Sequence, residues 1–99
     1  RNLLSVAEKW YARRRIPRFL ARGAQVVDVR GPAEFAAGHA AGSVNIPLPE
    51  LERRAGELDP ARPVIVCCAS GTRSALAARR LRGLGFGEVL NAGSWRSLP

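Results

Sequence analysis

Cys68-Ala69-Ser70-Gly71-Thr72-Arg73 is the stretch of this sequence best equipped for chemistry. A thiolate is the reactive form of cysteine, and it is favoured where backbone N–H groups and the positive end of a helix dipole point at the sulfur. Gly71 lets the backbone turn so that successive amides face inward as an anion-binding nest. Such a nest can hold the outer sulfur of a persulfide or an incoming sulfur oxyanion, with Arg73 at its rim to attract an anionic donor. Ser70, Thr72 and Ser74 add hydroxyls; each can serve instead as a helix cap, the preferred reading for Ser74. Cys68 as plain core filler is the competing view, since free cysteine is often buried. A filler cysteine would not need to be followed by Ser-Gly-Thr-Arg-Ser.

The elements on either side must position this loop. Val64-Ile65-Val66-Cys67 is an apolar, β-branched run that predicts a strand. After the loop, Ala77, Leu81 and Leu84 fall at i, i+4 and i+7 with Arg79, Arg80 and Arg82 opposite, which predicts an amphipathic helix. The thiol therefore sits between a strand end and a helix start. Strand alternation points Cys67 away from the face that Cys68 enters, so Cys67 reads as core. Yet Cys67 to Arg73 also has the Cys-x5-Arg spacing of protein tyrosine phosphatases, and that count competes with the one from Cys68.

Other elements repeat the alternation of strand and helix. Residues 25–29 predict a buried strand, 33–37 a short helix after Gly31-Pro32, and 44–46 a strand stopped by Pro47. Leu48, Leu51, Ala55 and Leu58 mark the buried face of another helix, and 88–90 the last strand. This order predicts an α/β fold with a central, mostly parallel sheet of four to five short strands and helices on both faces. Ligands of such sheets bind beyond the carboxyl ends of the strands, where 28–30, 68–73 and 91–95 lie. Asp28 and Arg30 are supporting candidates there, more readily explained as a pair that fixes the loop than as reacting groups. His39 reads as a hydrogen-bonded turn residue.

The 99 residues, 46% of them hydrophobic, suffice for one domain, and no apolar run approaches a membrane span. With one His and two adjacent cysteines, neither a zinc site nor a disulfide framework is expected, and no cofactor is implied. The chain begins at Arg1, so an upstream signal or anchor stays open. The net charge is +8, of which residues 1–22 supply +6 through Arg1, Lys9, Arg13, Arg14, Arg15, Arg18 and Arg22 against Glu8. Nucleic acid is not the expected partner; a solvated segment is the plainest explanation, with an anionic membrane surface or an acidic partner as alternatives. In this stretch Ser5 and Glu8 have capping-box spacing, Val6, Trp10 and Tyr11 can share a helix face, and Pro17 is expected to break the run before a short turn through Phe19 and Leu20.

Residues 26–39 (Val-Val-Asp-Val-Arg-Gly-Pro-Ala-Glu-Phe-Ala-Ala-Gly-His), 42–47 and Cys68 to Ser74 together resemble, in order and spacing, the motifs of single-domain rhodaneses. Asn91-Ala92-Gly93-Ser94-Trp95 is similar, more loosely, to that family's closing segment. The resemblance runs over roughly residues 18–98. Residues 1–15 lie outside it, so the expected division is a basic helical segment over 1–15, read from its own residues, and a rhodanese-like domain over 16–99. The resemblance implies that Cys68 is the sulfur-accepting cysteine, that residues 69–73 complete a six-residue loop, and that Gly71 is its turn glycine. Phosphatase and arsenate-reductase relatives carry a loop one residue longer, which favours counting from Cys68. Ala69 stands where the family often has Arg, which leaves one positive charge fewer for thiosulfate.

The activity implied is that of a sulfurtransferase or sulfur carrier. Cys68 would take sulfane sulfur from thiosulfate or a persulfide and pass it to cyanide or a thiol, in a monomeric, cytoplasmic protein. The alternatives are a non-catalytic binding or regulatory module and, further off, a phosphatase or arsenate reductase on the same scaffold.

Overall fold

The computed structural model describes residues 5–99, except the side chains of Glu8 and Lys9. The expected capping pair of Ser5 and Glu8 rests on the Glu8 side chain, which lies outside what is described. The chain runs α1 (Val6–Ala21), β1 (Gln25–Asp28), α2 (Pro32–Ala37), β2 (Val44–Asn45), α3 (Leu51–Arg54), β3 (Val64–Cys68), α4 (Thr72–Gly83) and β4 (Val89–Ser94). The four strands form one sheet in the order β2-β1-β3-β4, and every pairing is parallel. This is the α/β architecture expected from the sequence, with four strands.

The sheet is covered on both faces, and alternation along β3 separates the two cores. Val64, Val66 and Cys68 face one side with Ile46, Leu51, Ala77, Ala78 and Leu81. Ile65 and Cys67 face the other, packed with Ala12, Ile16 and Phe19 of α1 and with Leu90 and Ala92. All five residues of β3 are buried, as a central parallel strand requires. Because β1 has β2 on one side and β3 on the other, the loops following β1 and β3 emerge side by side where the winding reverses, the usual place for a ligand in such a sheet.

Three departures from the sequence reading have physical causes. Pro17 lies inside α1 without ending it. The backbone hydrogen bond it forgoes is offset by the burial of Ala12, Ile16 and Phe19 against the sheet on both sides of it, so the helix runs on through Pro17 to Ala21. Leu84 is half exposed rather than buried, because α4 ends at Gly83 and the left-handed Gly85 (φ 100°) turns the chain so that Phe86 enters the core instead. The helix expected over residues 48–58 is one α-helical turn flanked by 3-10 turns at Leu48–Glu50 and Ala55–Glu57; Leu51 and Leu58 are buried from it.

The packing of α1 gives a direct test. Ile16→Ala is expected to lower stability by about 2–5 kcal/mol, whereas Trp10→Ala should change it by no more than about 0.5 kcal/mol. Urea midpoints of the two variants check this, and equal values would mean that α1 is not part of the core.

Candidate active site

β3 delivers Cys68 to the face of the sheet that α4 covers, and the next three residues turn back over its sulfur. Gly71 makes that turn with φ 115°, a left-handed conformation that other residues adopt only with strain. The turn aims the Gly71 N–H at Cys68 Sγ, which it reaches at 3.0 Å. The Ser74 N–H, in the first turn of α4, donates to the same sulfur at 3.4 Å, and Ser74 Oγ lies 3.3 Å from it. Cys68 is 1% exposed. Burial alone would raise its pKa, but the Ser74 hydroxyl and the amides of Ser74, Gly71 and Ser70 outweigh it, and the thiol is held below its ordinary value. This is the cradle expected around Cys68.

Cys67 has the opposite environment. It lies in the α1-side core, and burial, with the neighbouring Asp28 and Cys68 charges, pushes its thiol up to about 12. The loop donors converge on Cys68, so the Cys-x5-Arg count from Cys67 does not describe the geometry of this loop.

Ser74, read from the sequence as a helix cap, is instead fully buried and bound to the site. Its hydroxyl donates to Asn91 Oδ1 at 2.7 Å, and Asn91 Oδ1 also accepts the Gly93 N–H at 2.9 Å. Asn91 Nδ2 reaches back to the Gly71 carbonyl at 3.4 Å. A bulge in β4, where Asn91 pairs Val66 but Gly93 pairs Cys67, sets up this arrangement. The single Ser74 proton thus has two acceptors, the sulfur and Asn91.

Arg73 is not a free charge at the rim. It forms two hydrogen bonds to Glu34 of α2, at 2.7 and 3.0 Å, with both side chains about two-fifths exposed. Arg73 and the Gly31 N–H hold the Glu34 carboxyl down at about 2. Sequence reasoning passed over Glu34 and Asn91, since pairings 39 and 17 residues apart leave no local signal. Ala69 is exposed, and Ser70 is half-buried.

Asp28 and Arg30 form a buried, doubly hydrogen-bonded pair, with Arg30 also donating to the Gly38 carbonyl at 2.6 Å and lying over the Trp95 ring at 4.8 Å. Among the described residues neither hydrogen-bonds to Cys68, and the pair ties the β1 loop to α2 and the chain end. His39 stacks on Phe35 at 3.7 Å and bonds its carbonyl through Nδ1. No group of His, Cys, Asp and Glu among the described residues is arranged to hold a metal.

A family model described as Rhodanese-like domain matches residues 8–97. The chain is 44% identical over 70 residues to the uncharacterized protein YqhL of Bacillus subtilis, covering 71% of this chain and 56% of YqhL. It is 43% identical over 67 residues to the thiosulfate sulfurtransferase GlpE of Ectopseudomonas mendocina, covering 68% of this chain and 62% of that protein. It therefore spans less than two thirds of either relative. Among solved structures it is similar to the human single-domain sulfurtransferase TSTD1, with a TM-score of 0.69 and 33% identity over 85% of this chain and 88% of that one.

Ser74→Ala should leave the fold intact but remove one donor to the thiolate. The rate of Cys68 alkylation by iodoacetamide at neutral pH is expected to fall about tenfold, with its pH midpoint moved upward. An unchanged profile would show that the hydroxyl belongs to Asn91 alone.

Proposed function

The chain belongs to the rhodanese-like family, and on that footing we propose that it is a sulfurtransferase or sulfur carrier working through a persulfide on Cys68. The observation that carries the proposal is the convergence of the Gly71 and Ser74 donors on the Cys68 sulfur. The Cys68 thiolate attacks the sulfane sulfur of thiosulfate; a new sulfur–sulfur bond forms as the old one breaks, and sulfite leaves with the electron pair. The persulfide's outer sulfur carries the negative charge and takes over the loop amides. A cyanide or thiolate acceptor then attacks that sulfur, and Cys68 returns as thiolate. A persulfide donor follows the same course with a thiolate as leaving group. The names of GlpE and TSTD1 support this class of reaction.

Loop size favours sulfur over phosphorus. Six residues from Cys68 to Arg73 close a narrow ring of amides around one buried sulfur, whereas a tetrahedral phosphate or arsenate needs a wider one. The pairing of Arg73 with Glu34 weakens attraction most for the doubly charged thiosulfate, which favours a persulfide, with at most one charge at its sulfur, as the better donor.

Incubation with thiosulfate should add the mass of one sulfur atom, removable by a thiol reductant. Cys68→Ser should abolish the addition and Cys67→Ser should retain most of it; a dead Cys67→Ser would mean that the loop register is wrong. No addition to the unmodified chain from thiosulfate or a persulfide would leave it a non-catalytic module.

The Glu34–Arg73 pair allows a second check. Arg73→Ala alone leaves Glu34 uncompensated and should slow thiosulfate use by about fivefold, a modest effect in keeping with half-exposed charges. Adding Glu34→Gln should restore most of the rate. Equal rates in the two variants would exclude charge as the cause.

A further inference from the structure

One flank of α1 carries Arg14, Arg15 and Arg18 beside Trp10 and Tyr11, with Arg22 just past its end, and together with Phe19 these side chains line a groove of about 500 Å³. Arg14 lies over the Trp10 ring at 4.9 Å, and Arg15 over Tyr11 at 5.3 Å. Stacking of this kind holds a guanidinium in place while leaving N–H edges for an oxyanion; one Nη1–H of Arg15 is donated to the Tyr11 hydroxyl at 3.4 Å. Arg22 is bound to Glu88 at 2.6 and 2.7 Å; among the described residues no carboxylate pairs with Arg14, Arg15 or Arg18. Arg14, Arg15 and Arg18 therefore form a row of cations with no carboxylate partner among the described residues, two of them held by stacking.

The flank is also apolar where it is most exposed. Val6 is 84% exposed, Trp10 59% and Tyr11 57%, all in the first half of the helix, while the stripe of Ala12, Ile16 and Phe19 is spent on the sheet. An acidic peptide would answer the arginines but leave Val6 and the Trp10 indole in water. A layer of anionic phospholipid headgroups answers both, with phosphate oxygens for the guanidiniums and the glycerol–acyl boundary for the indole and valine.

We propose that the outer face of α1 is a docking surface for an anionic phospholipid bilayer. The helix lies on the face of the sheet opposite α4, so docking through it leaves the side that holds Cys68 turned away from the lipid. No helix among the described residues is long and apolar enough to cross a membrane, and the contact is a surface one. It is independent of the sulfur chemistry proposed above.

The test is co-sedimentation of the 99-residue chain with vesicles of phosphatidylglycerol and phosphatidylcholine in equal parts, against phosphatidylcholine alone. Binding is expected only to the anionic vesicles, and it should weaken as ionic strength rises from about 0.1 M to 1 M and the Debye length falls from roughly 10 to 3 Å. Arg14→Glu with Arg18→Glu should reduce binding at least about tenfold, and Trp10→Ala severalfold, with circular dichroism of both unchanged. Equal binding to both vesicle types, or none to either, would overturn the proposal. So would displacement by polyglutamate at matched charge together with full binding by Trp10→Ala, which would point to an acidic peptide instead.

Discussion

The loop, the end of β3 and the start of α4 are arranged to favour the charged form of one buried sulfur. Taking a thiolate out of water costs several kcal/mol unless polar partners replace the solvent. Each hydrogen bond to a charged group contributes about 1.5–3 kcal/mol, so the Gly71 amide, the Ser74 amide and a share of the Ser74 hydroxyl are enough to reverse the penalty. That balance holds only if β3 ends at Cys68, if Gly71 takes its left-handed turn, and if α4 begins at Thr72 so that the Ser74 N–H points down at Sγ. The two cysteines show how local the effect is. Adjacent in sequence and both buried, they are driven in opposite directions, because only one of them faces the loop.

Around this centre the charged side chains act as ties. Asp28 and Arg30 join the β1 loop to α2 and to Trp95, and Glu34 and Arg73 join α2 to the start of α4. The first pair is sealed from solvent and the second is open to it. The buried pair therefore fixes backbone geometry, while the open pair leaves Arg73 partly neutralised at the mouth of the loop. Asn91 works from the far side, on a strand whose bulge lets it reach both Ser74 and Gly71.

Much of this was legible in the residues. Alternation along residues 64–68 predicts opposite faces for Cys67 and Cys68, and the small, glycine-containing loop predicts the nest around Cys68. The order of strands and helices yields the parallel sheet. What the sequence hid were relations between distant segments. Glu34 and Asn91 carry no local mark of the partners they meet, and Ser74 has the residue type and position of a cap, so its bond to the sulfur emerges only when the loop closes. Pro17 misleads because its local cost is visible, whereas the burial of Ile16 and Phe19 that offsets it depends on a sheet formed later in the chain. Leu84 misleads likewise, since helical spacing says nothing of where Gly85 turns the chain.

The central claim, that the loop holds the Cys68 thiol below its ordinary pKa, is tested most directly by titrating thiolate absorbance in the Cys67→Ala variant, where Cys68 is the sole thiol. The expected curve has a midpoint below that of an ordinary thiol and disappears in Cys67→Ala with Cys68→Ser. A midpoint at or above the ordinary thiol value would mean that burial wins over the amides, and the account would fail.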